Sequence, residues 1–264
     1  MDKNIIMCLS PGRSGTQLLT LLLDLADDTH SVHEPQPTFQ AVTEAVRTSP
    51  DDTLRFVRDT KLPAILSTPE PNYVETSHLF GKGPFEAFVE LGVPFRLVIL
   101  HREPREVAKS HWRIKAVPAR TKRKQQYLLH PGLDGVLQMP GWEQMTDYQL
   151  CYWYCLEIER RKALYAEKCR ALDLSIAEIH LEELLDFYRV KHLSEQLSLY
   201  INSDKRQQHA SLTAEKVNHK PKYWPKLTLT PLASQEREVW EAIGPEGEAL
   251  FQEVAVRYAW ESAA

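Results

Sequence analysis

The stretch SPGRSGTQLL, Ser10–Leu19, begins as a phosphate-binding loop begins but lacks the lysine that such a loop contains. A P-loop reads G-x-x-x-x-G-K-[ST], and its backbone amides and lysine surround the phosphates of a nucleotide. Here the turn is shorter and contains an arginine; its residues are Gly12, Arg13, Ser14, Gly15, Thr16 and Gln17. The turn joins the apolar run NIIMCLS to LLTLLLDLA, a run of helical length, so free amides and the helix dipole predict an anion site. An ordinary turn between a strand and a helix is the alternative, since glycine and serine are common in turns.

A second candidate anion site follows the clearest strand of the sequence, FRLVILH, Phe95–His101. An unbroken apolar run of this kind is typical of a buried parallel strand. Arg102 comes next, at a place where kinases and nucleoside triphosphatases usually carry an acid for Mg²⁺. An arginine there favours an anion, and Ser110 follows about two helical turns later on the predicted helix EPREVAKSHW. Taken alone, a surface arginine and a serine within a helix explain the pair equally well.

Together, SPGRSGT and LVILHREPREVAKS resemble the paired signatures of sulfotransferases that use 3′-phosphoadenosine 5′-phosphosulfate (PAPS). The resemblance implies that the first loop grips the 5′-phosphosulfate and that Arg13 helps the leaving group. It also implies that Arg102 and Ser110, eight residues apart, grip the 3′-phosphate. Two weaker similarities are the stretches IAEIHLEELL and KVNHK, and the second implies cofactor contacts from Lys216 and Asn218.

A base for the acceptor's proton is expected at the end of the second or the third strand. The second strand, THSVHE, ends in His33 and Glu34, and the third, NYVETS, is followed by His78. The resemblance implies a catalytic glutamate at the end of the second strand in one branch of the family. In the cytosolic branch it implies a catalytic histidine near the end of the third strand. Glu75 stands where that branch has a lysine. We predict Glu34 as the base, with His78 as the alternative. Either residue could instead be a surface residue that caps a helix or forms a salt bridge.

Strands that alternate with helices over most of the chain predict an α/β fold with a central parallel sheet flanked by helices. We expect one domain over residues 1–264 with P-loop-like sulfotransferase architecture and a C-terminal helical region over 230–264. Further predicted elements are the helix YQLCYWYCLEIERRKALYAEK, the strand LSIAEIH, and two helices at LEELLDFY and SEQLSLYI. Ligands of such sheets lie at the carboxyl ends of the strands, where the candidate residues fall.

The segment RIKAVPARTKRK, Arg113–Lys124, has six basic residues and no acid. A run of this kind is usually a solvated or mobile loop. Because it leaves the predicted 3′-phosphate helix directly, a lid over residues 113–140 is the functional alternative. The segment has no interleaved aromatic residues, so no nucleic-acid partner is expected. The cluster CYWYC, Cys151–Cys155, is predicted to pack in the core, although one of its aromatic rings could line an acceptor pocket.

Composition limits the remaining choices. A chain of 264 residues with 43% hydrophobic content can bury a full core, and its net charge of −4 gives no general attraction to nucleic acid. The four cysteines show no C-x-x-C pairing, so we expect buried thiols in a reducing compartment and no metal. No apolar run is long enough to serve as a signal peptide or to span a bilayer, and a cytoplasmic protein without a membrane partner is expected.

The sequence thus predicts a PAPS-dependent sulfotransferase that acts on a hydroxyl or amine of a small molecule or glycan without a metal. A nucleotide kinase with a degenerate loop, or a protein that binds phosphoadenosine nucleotides without turnover, remains the alternative. The acceptor is left open, because acceptor pockets are built from loops. The oligomeric state is left open as well.

Overall fold

Five parallel strands form the centre of the molecule, in the order β2-β3-β1-β4-β5. The computed structural model describes residues 3–44, 46, 49–120, 127–214 and 232–260. The strands are β1 Asn4–Leu9, β2 Thr29–His33, β3 Asn72–Thr76, β4 Arg96–His101 and β5 Ile176–His180. All four pairings are parallel, which confirms the predicted α/β fold with a central parallel sheet.

Helices cover both faces of the sheet. The first is α1, Thr16–Leu23. Helix α2, Pro50–Phe56, continues through a π-helical turn, Val57–Lys61, into α3, Leu62–Leu66. The others are α4 Pro84–Glu90, α5 Pro104–Arg113, α6 Asp147–Ala171, α7 Phe187–Gln196, α8 Arg206–Ala214, α9 Leu232–Ile243 and α10 Pro245–Arg257. Short 3₁₀ turns span Phe39–Val42, Trp142–Gln144, Leu181–Leu185 and Ser203–Lys205.

Both faces of the sheet are apolar because successive side chains of a strand point to opposite faces. Ile5, Met7 and Leu9 of β1 belong to a cluster that contains five phenylalanines: Phe39, Phe80, Phe85, Phe88 and Phe95. Ile6 and Cys8 point to the other face and join a cluster with side chains of α1 and α7. A strand buried on both faces reads as an unbroken apolar run, which is why β1 and β4 are the clearest strands in the sequence.

The long helix α6 lies in the interior, and its first half is buried on every side. Thr146 begins it with a capping box, since its hydroxyl accepts from the Gln149 amide while the Gln149 side chain accepts from the Thr146 amide. The five residues Cys151–Cys155 are at most 1% exposed and pack in a third cluster with α5, α9 and α10. The prediction of core packing for CYWYC is confirmed. None of the helices in the described residues is long and apolar enough to cross a membrane.

The prediction of two helices at LEELLDFY and SEQLSLYI is wrong. The chain instead forms a 3₁₀ turn, Leu181–Leu185, followed by the single helix α7. Asp186 separates them because its carboxylate accepts hydrogen bonds from the amides of Tyr188 and Arg189, which makes it the N-cap of α7. The helix ends at Gln196, and Ser198 then takes a left-handed conformation with φ of 56°.

The strand order leaves a crevice between the ends of β1 and β4. After β1 the chain runs through α1 to β2 on the far side of β3, and after β3 it crosses to β4 on the opposite side of β1. Loops that leave β1 and β4 therefore diverge. In open α/β sheets this topological switch point is where ligands bind.

A buried ion pair supports the chain that follows β2. Lys61, at the end of the π-helical turn, places Nζ 2.7 Å from Oε2 of Glu75 on β3, and both side chains are 1% exposed. The Tyr73 hydroxyl donates to the same carboxylate at 2.6 Å, and Lys61 also donates to the Pro37 carbonyl at 2.9 Å. Burial raises the pKa of Glu75 and lowers the pKa of Lys61, because each charged form loses its water. Their mutual attraction opposes both shifts.

Replacement of Lys61 by methionine is expected to lower the free energy of unfolding by about 3–5 kcal/mol, because it leaves the Glu75 carboxylate buried without its cation. The double variant Lys61→Met, Glu75→Gln removes the charge as well and should recover much of this loss. Urea denaturation of the three proteins measures both effects. Equal stability of the single and double variants would contradict this account of the pair.

Candidate active site

Four strand ends meet at one edge of the sheet and carry the candidate residues. The loop from Ser10 to Gly15 follows β1, Glu34 follows β2, His78 follows β3, and Arg102 follows β4. The strand ends are level with one another, since Thr76 of β3 is paired with both Cys8 of β1 and His33 of β2. A cavity of about 210 Å³ lies at this edge.

The loop after β1 depends on left-handed backbone conformations. Gly12, Arg13 and Gly15 have φ values of 77°, 57° and 92°. A Cβ atom at Gly12 would lie 3.2 Å from Cγ of His78, and one at Gly15 would lie 2.3 Å from Cδ1 of Leu181. Helix α1 then begins at Thr16 with no side-chain cap. No side chain thus caps the amides of its first turn, and the anion site expected there stays a prediction.

Hydrogen bonds from three directions hold this loop. The Tyr154 hydroxyl on α6 donates to the Pro11 carbonyl at 2.7 Å, and Arg102 Nη1 donates to the Arg13 carbonyl. Within the loop, Ser14 Oγ donates to the Gly12 carbonyl at 3.1 Å. The Ser14 hydroxyl is therefore used to close the turn.

Two guanidinium groups converge on the crevice between β1 and β4. Arg13 Nε donates to Ser110 Oγ of α5 at 3.2 Å, and Arg102 lies on the same side of the loop. Burial, and then the charge of Arg102, lower the pKa of Arg13. Arginine still stays charged, so the crevice collects two cations beside the positive end of α1. This arrangement suits an anion of high charge.

Glu34 lies beside His78 on the cavity wall. Its backbone is left-handed, with φ of 47°, a conformation that costs free energy for a residue other than glycine. Oε1 of Glu34 lies 3.4 Å from Nε2 of His78, and the Glu34 side chain is one third exposed. On the neighbouring strand end, His33 Nδ1 lies 2.7 Å from the Thr76 carbonyl. A carboxylate and an imidazole thus share one wall of the cavity.

A buried lysine completes the contacts of His78. Lys82 is fully buried, and its Nζ lies 2.8 Å from His78 Nδ1 and 2.7 Å from the Tyr127 carbonyl. The imidazole also makes an edge contact with the ring of Tyr127, at 6.0 Å between centroids. Both ring nitrogens of His78 therefore face charged side chains.

The structure brings most of the predicted site residues together. Those that line the cavity are Gly12, Arg13, Gly15, Thr16, Gln17, Glu34 and His78. Arg102 and Ser110 adjoin it through Arg13, and Ser14 turns into the loop. Lys216 and Asn218 lie outside the described residues.

Glu75 was expected at a strand end with the other candidates, but it lies within β3, fully buried and bonded to Lys61, and it does not line the cavity. The basic segment is described only up to Arg120, which donates to the Glu143 and Met145 carbonyls near the start of α6. A lid over residues 113–140 stays a prediction.

Sequence reasoning missed six residues of the site. Lys82 lies behind His78, and the other five line the cavity: His111, Ile114, Ala116, Tyr127 and Leu128. The only local signal was the position of Lys82 between two glycines, four residues after His78. No group of three histidine, cysteine, aspartate or glutamate side chains is placed to hold a metal ion in the part of the chain that is described.

Comparison with solved structures shows that the chain has the fold of sulfotransferases. The sulfotransferase domain from the curacin biosynthetic pathway aligns over 98% of both chains, with 14% identity and a TM-score of 0.56. The sulfotransferase domain of the Synechococcus PCC 7002 olefin synthase aligns over 98% of this chain and 96% of its own, with 12% identity and a TM-score of 0.50. No family model and no curated protein matches the sequence.

Proposed function

We propose that the protein transfers a sulfuryl group from PAPS to a hydroxyl or amine of a small molecule or glycan. The observation that carries this proposal is the convergence of Arg13 and Arg102 on one crevice, with the Glu34 carboxylate on the wall of the adjoining cavity. The sulfotransferase fold supports it, since the crevice lies at the switch point of the sheet.

The residues present fit an anionic donor. The loop contains no acid, and the first turn of α1 has no side-chain cap. PAPS, when bound, supplies a sulfuryl group joined to a phosphate leaving group. Arg13 and the amides of the loop would hold the phosphosulfate, while Arg102 and Ser110 would hold the 3′-phosphate.

Positioned charge is the main contribution that a protein makes to this type of transfer. As in phosphoryl transfer, donors held toward the leaving oxygen stabilise the charge that develops there. Arg13 is suited to this role because its guanidinium is fixed by Ser110 and lies beside the free amides of α1. Lys216 and Asn218 are proposed as further contacts to the nucleotide.

Glu34 is proposed as the general base that takes the acceptor's proton. It has a left-handed backbone and lies on the wall of the cavity that Arg13 also lines, so its carboxylate would stand close to the bound phosphosulfate. Stability alone does not favour that arrangement, because like charges repel. A general base of this kind contributes roughly 10²- to 10⁴-fold to a rate.

The two alternatives predict different behaviour. A nucleotide kinase usually carries an acid for Mg²⁺ at a strand end, whereas β4 ends in His101 and is followed by Arg102. A nucleotide-binding protein without turnover has no use for a carboxylate opposite the donor. Incubation with ³⁵S-labelled PAPS and an acceptor library tests the proposal, and label should pass to an acceptor in the presence of EDTA. Absence of transfer to every hydroxyl and amine offered, with the nucleotide still bound, would favour the binding protein.

The Arg102→Ala variant is expected to bind phosphoadenosine phosphate (PAP) more weakly by roughly 2–4 kcal/mol, because a multiply charged phosphate loses its guanidinium partner. Adenosine 5′-phosphosulfate lacks the 3′-phosphate, so its affinity should change much less. Lys109→Ala removes a charge from the helix that follows Arg102, where Lys109 pairs with Glu106, and serves as the matched control. Titration calorimetry of the wild type and both variants with each nucleotide measures these changes. Equal losses for both nucleotides would show that Arg102 does not bind the 3′-phosphate.

The Glu34→Gln variant keeps the shape of the side chain but cannot accept a full proton. We expect kcat to fall by about 10²- to 10⁴-fold while the affinity for PAP stays close to that of the wild type. The same exchange at the exposed Glu90 is the control and should leave kcat unchanged. Near wild-type turnover of Glu34→Gln, with an inactive His78→Asn variant, would transfer the role of base to His78.

A further inference from the structure

The lysine behind His78 is the most unusual feature of the site that the proposed function does not use. Lys82 is fully buried between Gly81 and Gly83, and the ring of Tyr154 lies 4.9 Å from its Nζ. An ammonium group loses its hydration on burial, and this loss is costly unless hydrogen bonds replace the water. Here the replacement partners include the Tyr127 carbonyl and one nitrogen of an imidazole.

The chemistry of an ammonium group determines which form of the imidazole fits. A lysine ammonium has three donors and no acceptor, so the ring nitrogen that it faces must offer a lone pair. Nδ1 of His78 is that nitrogen, at 2.8 Å. A doubly protonated ring would set an N–H group against the ammonium. The neutral ring with its proton on Nε2 is the form that satisfies the contact.

The ring packs between the loop and Tyr127. Gly12 leaves room for it, since a Cβ there would lie 3.2 Å from its Cγ, and Tyr127 packs against it edge to face. With Nδ1 held on Lys82, Nε2 faces Oε1 of Glu34 at 3.4 Å. The three side chains form a row that ends at the carboxylate.

We propose that Lys82 is a positioning residue that fixes neutral His78 with its proton on Nε2, directed at Glu34. His78 then orients the carboxylate and does not act as the base, because the nitrogen that faces the cavity already carries a proton. This inference rests on the proposed function, since it assigns the proton transfer within that same site.

The proton balance of the transfer follows from this assignment. The oxygen or nitrogen of the acceptor bonds to sulfur while the bond from sulfur to the leaving oxygen breaks. The acceptor's proton passes to Glu34 in the same step. The Nε2 proton of His78 stays on the ring throughout and donates to the Glu34 oxygen that does not take the acceptor's proton.

Nitrogen NMR of the wild-type protein tests the tautomer without any loss of activity as its readout. Protein labelled with ¹⁵N at histidine gives separate signals for protonated and unprotonated ring nitrogens, and the His78 signals are assigned by their absence from His78→Gln. At neutral pH we expect an unprotonated Nδ1 and a protonated Nε2. A protonated Nδ1, whether in the other neutral tautomer or in the imidazolium ion, would overturn the proposal.

The Lys82→Met variant keeps the length of the side chain and removes its donor. Without the ammonium, we expect the His78 nitrogen signals to move toward a mixture of tautomers. We also expect kcat to fall about tenfold, less than the loss from the base itself, while PAP affinity is retained. Unchanged nitrogen signals in a folded variant would overturn the role of Lys82. If the variant does not fold, the wild-type spectrum still decides.

Failure of this inference can be told apart from failure of the proposed function. An Nδ1-protonated ring together with an inactive Glu34→Gln variant overturns the role of Lys82 and leaves the sulfotransferase proposal standing. An Nε2-protonated ring together with a fully active Glu34→Gln variant overturns the assignment of the proton transfer to Glu34, although the lysine still sets the tautomer.

Discussion

The site depends on two like-charged guanidinium groups that the fold holds together at the ends of β1 and β4. Arg102 donates to the Arg13 carbonyl, and Arg13 donates to Ser110, so each arginine is fixed by a hydrogen bond that does not neutralise its charge. Like charges at close range repel, and burial of Arg13 strengthens the repulsion because less water screens it. An anion in the crevice relieves this cost. In the proposed function, the loop and the strand order that creates the crevice would therefore both serve anion binding.

Two buried lysines, Lys61 and Lys82, support the cavity wall that Glu34 and His78 form. Lys61 pairs with Glu75 and donates to the Pro37 carbonyl, which fixes the chain that leaves β2 after Glu34. Lys82 donates to the Tyr127 carbonyl and contacts His78, which fixes the chain that leaves β3. Each ammonium group ties a loop of the site to the interior. The positions of Glu34 and His78 thus depend on cations that lie outside the cavity.

The parts of this arrangement that could be predicted are those with a local signal. Apolar runs identified β1 and β4, and shorter stretches next to prolines indicated β2 and β3. The residue types that follow β1, β2 and β4 identified Arg13, Glu34 and Arg102. The supporting lysines could not be found, because Lys61 is joined to Pro37 and Glu75 by contacts between residues far apart in the sequence. The prediction for Glu75 was wrong for the same reason. Glu75 follows two strand residues, as a residue just beyond a strand end would, and only its contact with Lys61 shows that it points into the core. The prediction of a helix at SEQLSLYI failed because Asp186 caps the helix at an earlier position. The helix therefore begins at Phe187 and ends at Gln196.

The proposed function requires the crevice to hold a nucleotide with two separate anionic groups without a divalent metal. Thermal denaturation in EDTA, with PAP, adenosine 5′-phosphate or no nucleotide, tests this most directly, because a ligand that binds the folded state raises Tm, and at equal concentration a tighter ligand raises it more. The account predicts a clear rise in Tm with PAP and a much smaller one with adenosine 5′-phosphate. A protein that PAP does not stabilise in EDTA, but that ATP with Mg²⁺ does, would contradict the account and support a kinase.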